Sequence, residues 1–469
     1  MRKTLDILNK IVYIILLAVS FWFGYNILKI NIIPTKYLLI ASSIYLVILI
    51  VLAIIALIKK IHFVFKFFST ILSVLIITFM FIINNYIDNT DDFLDGIIEK
   101  DYVYQNYYMF TLTENKDKDI SSFQSIGIYN GDEIYSKAID ELKGKYQLNY
   151  NTYDNFIVLK DALLNKEEEI ILVSESDKGL ILDIIDESSI SIISTIPIKI
   201  ENDTILEPAK VTNEPFNIFI SGIDASGDIT TRSRSDVNMI VTVNPDTKEI
   251  LLTSIPRDYY VQLHGTTGYK DKLTHAGVYG IDKSVKTIED LLDIKIDYYV
   301  KVNFSTVIGL VDIIGGIDVN ADKTFTTLHY KCKVVEGMNH FDGKCALGYA
   351  RERYAYKTGD NHRVQNQQDV LMAVFNKVAN SKETLLKYNE ILKVLGNTIQ
   401  TNMPKEMIYQ LVNNQLNKME KWTFSSYALK GTGSMDYTYS YSAGRLYVMI
   451  PNMNTVNEAR TKINELLNK

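Results

Sequence analysis

Fixed charge is concentrated between Asp342 and Gln368, where the chain carries Asp342, Gly343, Arg351, Glu352, Arg353, Asp360, Arg363, Gln367 and Gln368. Arginine holds a permanent planar charge that grips phosphate or carboxylate oxygens in pairs. From Asp360 onward the sequence predicts a helix, because Leu371, Val374, Phe375 and Val378 recur at helical spacing and Asp360 is a good N-cap residue. At about 100° per residue, Asp360, Arg363 and Gln367 share an arc with Leu371, Val374 and Val378. The polar residues therefore point inward. An inward arginine beside a helix N-terminus, with Arg351 and Arg353 just upstream, describes an anion site. The plainer alternative is a capped helix whose first-turn charges pair with one another.

A second charged group comes earlier. Phe216 to Ser221 alternates as a strand and ends at Gly222-Ile223-Asp224, a position past a strand end where loops carry chemistry. Arg234, Ser235 and Asp236 lead into a second strand, Val237 to Val243, and a third, Ile250 to Ile255, runs into Pro256-Arg257-Asp258. Asn244-Pro245-Asp246-Thr247 between them is a turn signal. A hairpin closed near Asp246 and Thr247 sets Asp236 opposite Arg257 to within about two residues. Taken alone, that pair could be a cross-strand ion pair worth about 0.2 to 1 kcal/mol. Asp224 and Asp236 are hard oxygen donors of the kind Mg2+ uses when it keeps waters and shares phosphate oxygens, although aspartate is common in turns. His264 and His275 fall in a polar loop region and read as surface residues.

Three apolar stretches must anchor whatever these residues do: Ile11 to Leu28, Tyr37 to Ile58 and Phe67 to Ile83. Each is about long enough to cross a bilayer. Arg2, Lys3, Lys10, Lys59, Lys60 and Lys66 mark the N-terminus and second loop as cytoplasmic against Lys29 and Lys36 in the first loop, which places everything after the third span outside. A signal peptide is the competing reading of the first stretch, but no small-residue cleavage site follows it and two more spans do.

The 469 residues suggest two or three pieces. Beyond an acidic exit segment, Gln124 to Tyr129 and Glu169 to Val173 read as strands, and Ser136 to Tyr146 and Asn155 to Leu164 as helices. This small α/β unit carries no chemical constellation and reads as a spacer or substrate-shaping module. The expected organisation is a membrane anchor at 1–87, an external accessory α/β module at 88–212 and an α/β/α domain with a central mixed sheet at 213–469. Tyr298 to Val302 and Ser305 to Ile314 continue the α/β rhythm, and helical patterns with a Tyr-rich, strand-like stretch complete the layer. The net charge of -6 and the lack of a basic block give nucleic acid no support as a partner. The six histidines and two cysteines have no zinc-type spacing. Cys332 and Cys345, both on the expected outer side, could be bridged or could be two thiols.

With these residues in order, the chain resembles the LytR-CpsA-Psr family of membrane-anchored phosphotransferases, over about Asn213 to Asn380. The resemblance rests on Gly222-Ile223-Asp224, Arg234-Ser235-Asp236, Ser254-Ile255-Pro256-Arg257-Asp258, Asp342-Gly343 before Ala346-Leu347, Arg351-x-Arg353, and Asp360-x-x-Arg363 followed by Gln367-Gln368. Asn366 stands where the family commonly has an arginine, and Ala225 and Ser226 replace an arginine that many members carry after the first aspartate. The resemblance implies Mg2+-dependent transfer of a phosphoglycan from a polyprenyl-pyrophosphate carrier to a peptidoglycan hydroxyl, attaching capsule, teichoic-acid-like or other wall polymers. It implies that Asp224 and Asp236 hold Mg2+, and that Arg234, Arg257, Arg351, Arg353, Arg363 and Gln367 line the pyrophosphate. Asp360 is the implied base or orienting residue. A non-enzymatic lipid-binding or regulatory protein and a lipid pyrophosphatase are the alternatives.

Overall fold

The computed structural model describes residues 2–30, 33–98, 102–129, 133–154, 156–175, 177–178, 181, 185, 188–201, 206, 209–223, 229–356, 360–441 and 444–469. Three helices, Arg2–Ile30, Thr35–Leu57 and Phe63–Ile97, open the chain, and all three are long and apolar enough to cross a membrane. They pack through a few polar contacts, among them Asn9 Nδ2 to Thr70 Oγ1 at 3.0 Å and Asn26 Nδ2 to Asn84 Oδ1 at 2.6 Å. Their outer surface is apolar, with Phe21, Leu28 and Phe68 exposed as lipid-facing side chains would be.

The third helix differs from the sequence expectation. Instead of ending near Ile83 it runs on to Ile97, straight through the acidic stretch and past residue 87. Tertiary contacts explain the extension. Leu94 and Ile97 are buried against Tyr409, and Lys405 Nζ donates to Asp91 Oδ2 and Asp95 Oδ1 at 3.0 Å each. Burial opposes the Lys405 charge, but hydrogen bonds to Asp95 and Asp91 outweigh it and raise its pKa. Lys36, in the first turn of the second helix, donates to the Asn417 carbonyl of the same Lys405–Lys418 helix. The switch from apolar to acidic composition therefore marks where the helix stops being greasy, not where it stops.

A five-stranded sheet follows, ordered Asn149–Tyr153, Ser125–Tyr129, Ile170–Ser174, Tyr102–Leu112, Ile190–Glu201. The first three strands run parallel, with the helices Glu133–Lys145 and Phe156–Leu164 between them in sequence, and the long strands Tyr102–Leu112 and Ile190–Glu201 pair antiparallel. The sequence pattern did not reveal Tyr102–Leu112, whose burial is nearly continuous rather than alternating.

The second sheet has six strands, ordered Ile399–Thr401, Tyr298–Asn303, Phe216–Ile223, Ser235–Asn244, Glu249–Ile255, Thr423–Ala428. It is mixed: Tyr298–Asn303 runs parallel to Phe216–Ile223, the next two pairings are antiparallel, and Thr423–Ala428 lies parallel to Glu249–Ile255. One core cluster joins Phe219, Ile240 and Leu251 to the helices Ile281–Leu292 and Met453–Leu467. On the other face Ile220, Val241 and Leu252 meet the helices Asp360–Asn380 and Lys405–Lys418. Layers on both faces of a mixed sheet are the expected α/β/α arrangement.

A third core cluster lies under the segment that enters the charged stretch. Asp342 caps the helix Gly343–Arg351 by accepting from Cys345 N at 2.8 Å, and Asp312 Oδ1 accepts from Gly343 N at 2.7 Å. Gly343 is required by close approach, since a Cβ there would stand 2.3 Å from the Ile308 carbonyl oxygen. Cys332 and Cys345 form a disulfide with Cα atoms 5.5 Å apart, closing a loop with a sequence separation of 13. Replacing both cysteines by serine should lower stability by about 2 to 4 kcal/mol, through the regained freedom of the unfolded loop. Thermal unfolding of the detergent-solubilised chain checks this, and an unchanged midpoint would show that the bridge does not constrain the fold.

Candidate functional site

A narrow cleft opens at the ends of two neighbouring strands of the six-stranded sheet. It is lined by Asp236, Asn238, Ser254, Pro256, Arg257, Asp258, Arg363, Gln367 and Met449. One wall comes from the hairpin. Asn244 Oδ1 accepts from Asp246 N and Thr247 N at 3.0 and 3.1 Å and closes the turn, and the register pairs Asn244 with Glu249 and Asn238 with Ile255. Extended by two residues, that register sets Asp236 across from Arg257. Arg257 Nη1 donates to Asp236 Oδ1 at 3.1 Å.

Neighbours on several sides hold this pair. Thr274 Oγ1 donates to the same Asp236 oxygen at 3.3 Å, while Thr274 N donates to the Arg257 carbonyl at 2.8 Å. Asp258 stands 3.6 Å from Arg257 Nε and 3.6 Å from Lys272 Nζ, and its carbonyl accepts from Met449 N at 2.7 Å. Nothing in the sequence pattern singled out Thr274 or Met449, because both arrive through tertiary contacts.

The Asp360–Asn380 helix supplies the opposite wall. Leu371 and Phe375 pack on the sheet while Val370 and Val374 pack into the third cluster, so the helix is wedged between two apolar layers. The deepest polar side chains are Asn366 and Gln368, at 0% and 1% exposure. Asn366 Nδ2 donates to the Tyr349 carbonyl at 3.0 Å, and Gln368 Nε2 to the Tyr427 carbonyl at 2.8 Å. Arg363 and Gln367, half-buried, line the cleft instead of pointing fully inward. Asn366, which stands where the family commonly has an arginine, bonds to a carbonyl and is not among the cleft-lining residues. Nearby, burial raises the Asp369 pKa, opposed by hydrogen bonds from Gln365 and Tyr349.

Other residues singled out in the sequence lie elsewhere. Arg351 ends its helix half-buried, and Arg353 is exposed with Nη2 donating to Tyr354 Oη at 2.7 Å. Arg234 is half-buried ahead of its strand, and none of these three lines the cleft. Asp224 and the Asp360 side chain lie outside the described residues. Glu352 is 2% exposed and organises the loop after Arg351. Its Oε1 accepts from the backbone N of Arg353, Tyr354 and Ala355 at 3.1, 2.8 and 3.1 Å, and its Oε2 from Leu328 N at 2.7 Å. His264 pairs with Asp290 at 2.7 Å. His275, expected at the surface, is 8% exposed and lies 2.7 Å from Asp271 and 2.8 Å from Ser440, buried by the chain segment that follows the last sheet strand.

The donor chemistry fits a hard divalent cation. Besides the Asp236 carboxylate, the cleft contains Asn238, whose buried Oδ1 finds no hydrogen-bond partner among the described residues. A buried orphan oxygen costs about 1 to 3 kcal/mol, which a cation or hydrated ligand would offset. Among the described residues no three or more His, Cys, Asp and Glu side chains form a metal-sized group, so phosphate oxygens and water would complete such a coordination sphere.

The sequence model of the LytR_cpsA_psr family matches residues 192–456, more than half of the chain. The polyisoprenyl-teichoic acid–peptidoglycan teichoic acid transferase TagU of Bacillus mycoides is 35% identical over 228 residues, covering 48% of this chain and 73% of that protein. TagU of Bacillus subtilis is 34% identical over 233 residues, covering 49% and 73%. The crystal structure of B. subtilis TagV superposes with a TM-score of 0.46 at 30% identity, covering 55% of this chain and 98% of that one.

Proposed function

Since this chain belongs to the LytR_cpsA_psr family, we propose that it is a transferase that attaches a glycopolymer to peptidoglycan, as the names of its TagU relatives describe for them. The donor in this reading is a polyprenyl-pyrophosphate-linked glycan, and the cleft faces the outside of the cell membrane. The observation that carries it is the meeting of Asp236 and Arg257 with Arg363 and Gln367 across one cleft.

Phosphoryl transfer asks a protein mainly for positioning and charge neutralisation. The acceptor hydroxyl oxygen forms a bond to the phosphorus that carries the glycan, and the bond from that phosphorus to the bridging oxygen breaks. The electron pair leaves with polyprenyl phosphate. Arg257 and Arg363 neutralise charge from opposite walls, and Gln367 donates to a phosphate oxygen. Thr274 keeps Asp236 and Arg257 in register. The family motif makes Asp360 the candidate to orient the hydroxyl or take its proton, and assigns Arg234, Arg351 and Arg353, which stand outside the cleft lining, to the pyrophosphate as well. Asp236 and Asp224 would hold Mg2+, which when bound supplies further charge neutralisation at the phosphates.

The test incubates the solubilised full chain with a polyprenyl-pyrophosphate-linked glycan and peptidoglycan. Expected products are polyprenyl phosphate and glycan bound to peptidoglycan through a phosphodiester, lost with EDTA and restored by Mg2+. Free phosphoglycan alone would make the protein a lipid pyrophosphatase. Tight donor binding without turnover would make it a binding protein.

A further inference from the structure

After the last sheet strand the chain forms a two-stranded ribbon, Gly431–Tyr437 paired antiparallel with Arg445–Pro451. Alternation gives the ribbon two unlike faces. Leu446 and Val448 turn inward, and Leu446 joins a core cluster of the five-stranded sheet. The other face carries Met435, Tyr437, Tyr447 and Met449. Met435 and Tyr447, directly opposite in the register, are 54% and 47% exposed. Glycines flatten this face: a Cβ on Gly433 would stand 3.0 Å from the Tyr447 ring, and one on Gly431 2.5 Å from Met449 Cγ.

The face runs between two landmarks. At its inner end Met449 lines the cleft. At its outer end the Tyr437 ring lies 5.7 Å from the Tyr269 ring, with the Arg445 guanidinium 5.5 Å from its centroid. We propose that this face is the docking surface for the acceptor, a peptidoglycan glycan strand led along the ribbon into the cleft. Tyrosine offers a flat apolar body and a polar tip, which suits sugar rings with apolar faces and hydroxyl edges. A phosphate-rich polymer calls for a row of cations, and among the described residues of the two ribbon strands this face has Arg445 alone. The membrane helices contact the Lys405–Lys418 helix on one side of the sheet, whereas Met449 packs in the cluster on the opposite side. The proposal rests on the transfer reading of the cleft for the role of the strand, but its test reads binding alone.

The solubilised full chain is co-sedimented with sacculi stripped of attached polymers, alongside poly(glycerol phosphate) and phosphatidylglycerol vesicles as competing probes. The double variant Met435→Ala, Tyr447→Ala should bind sacculi about tenfold more weakly. Tyr447→Phe alone should bind nearly as the parent does, and the unfolding midpoint of the double variant should stay within a few degrees. Unchanged sacculus binding by a folded double variant overturns the proposal, as does a loss confined to the phosphate polymer or to vesicles. A double variant that unfolds is replaced by Tyr447→Glu with Arg445→Glu, which must also weaken sacculus binding. If the parent chain shows no transfer while its sacculus binding depends on Tyr447, the functional reading falls and the docking surface stands. If transfer is lost on Arg363→Ala while sacculus binding is indifferent to Tyr447, the docking surface falls and the functional reading stands.

Discussion

Arg363→Ala is expected to lower kcat/KM for polyprenyl phosphate release by about 10²- to 10³-fold, the loss typical of removing one preorganised group that stabilises transition-state charge. The expectation follows from placement. Arg363 is half-buried on a helix wedged between two apolar layers and pinned at the next turn by Asn366 and Gln368, so its guanidinium needs little reorganisation as charge builds on the leaving phosphate. Arg363→Lys should recover only part of the activity, because it keeps the charge and loses the planar fork. A loss below threefold for the alanine variant would place the pyrophosphate elsewhere.

Glu352→Ala should have the largest effect on stability, about 3 kcal/mol, because it removes a buried carboxylate that accepts from four backbone donors at once. The carboxylate accepts from four backbone N–H groups and fixes the loop that carries Arg353 away from Arg351. Glu352→Gln retains an acceptor oxygen and should fall between the two. Unfolding midpoints measured beside transfer rates separate a misfolded loop from a lost phosphate contact. A Glu352→Ala chain as stable as the parent would show that the loop is held by other contacts.

Much of this arrangement is legible in the sequence because it depends on local rules. The Asn244–Thr247 turn sets the hairpin register, and with it places Asp236 opposite Arg257, a pair that Thr274 then steadies. The helix from Asp360 is equally plain. Periodicity alone could not rank the polar residues on that helix. Asn366 and Gln368 sink deepest because carbonyls of Tyr349 and Tyr427 happen to await them. Thr274, Met449 and buried His275 were invisible for the same reason. Each owes its position to a partner distant in sequence. The third helix outruns its apolar stretch because composition reports solvent, whereas helix continuity is decided by Lys405 and Tyr409.

That uninterrupted third helix has a mechanical consequence. A flexible tether would let an attached domain sample many heights and headings above a bilayer. A single helix that ends against the sheet's own edge, through the pairing of Ile98 with Thr401, behaves as a mast. From Ile83 to Ile97 it rises about 21 Å at 1.5 Å per residue, and any lean it takes within the membrane is passed to the cleft as a change of aim. Bilayer thickness, which sets that lean, thus becomes part of the enzyme's geometry.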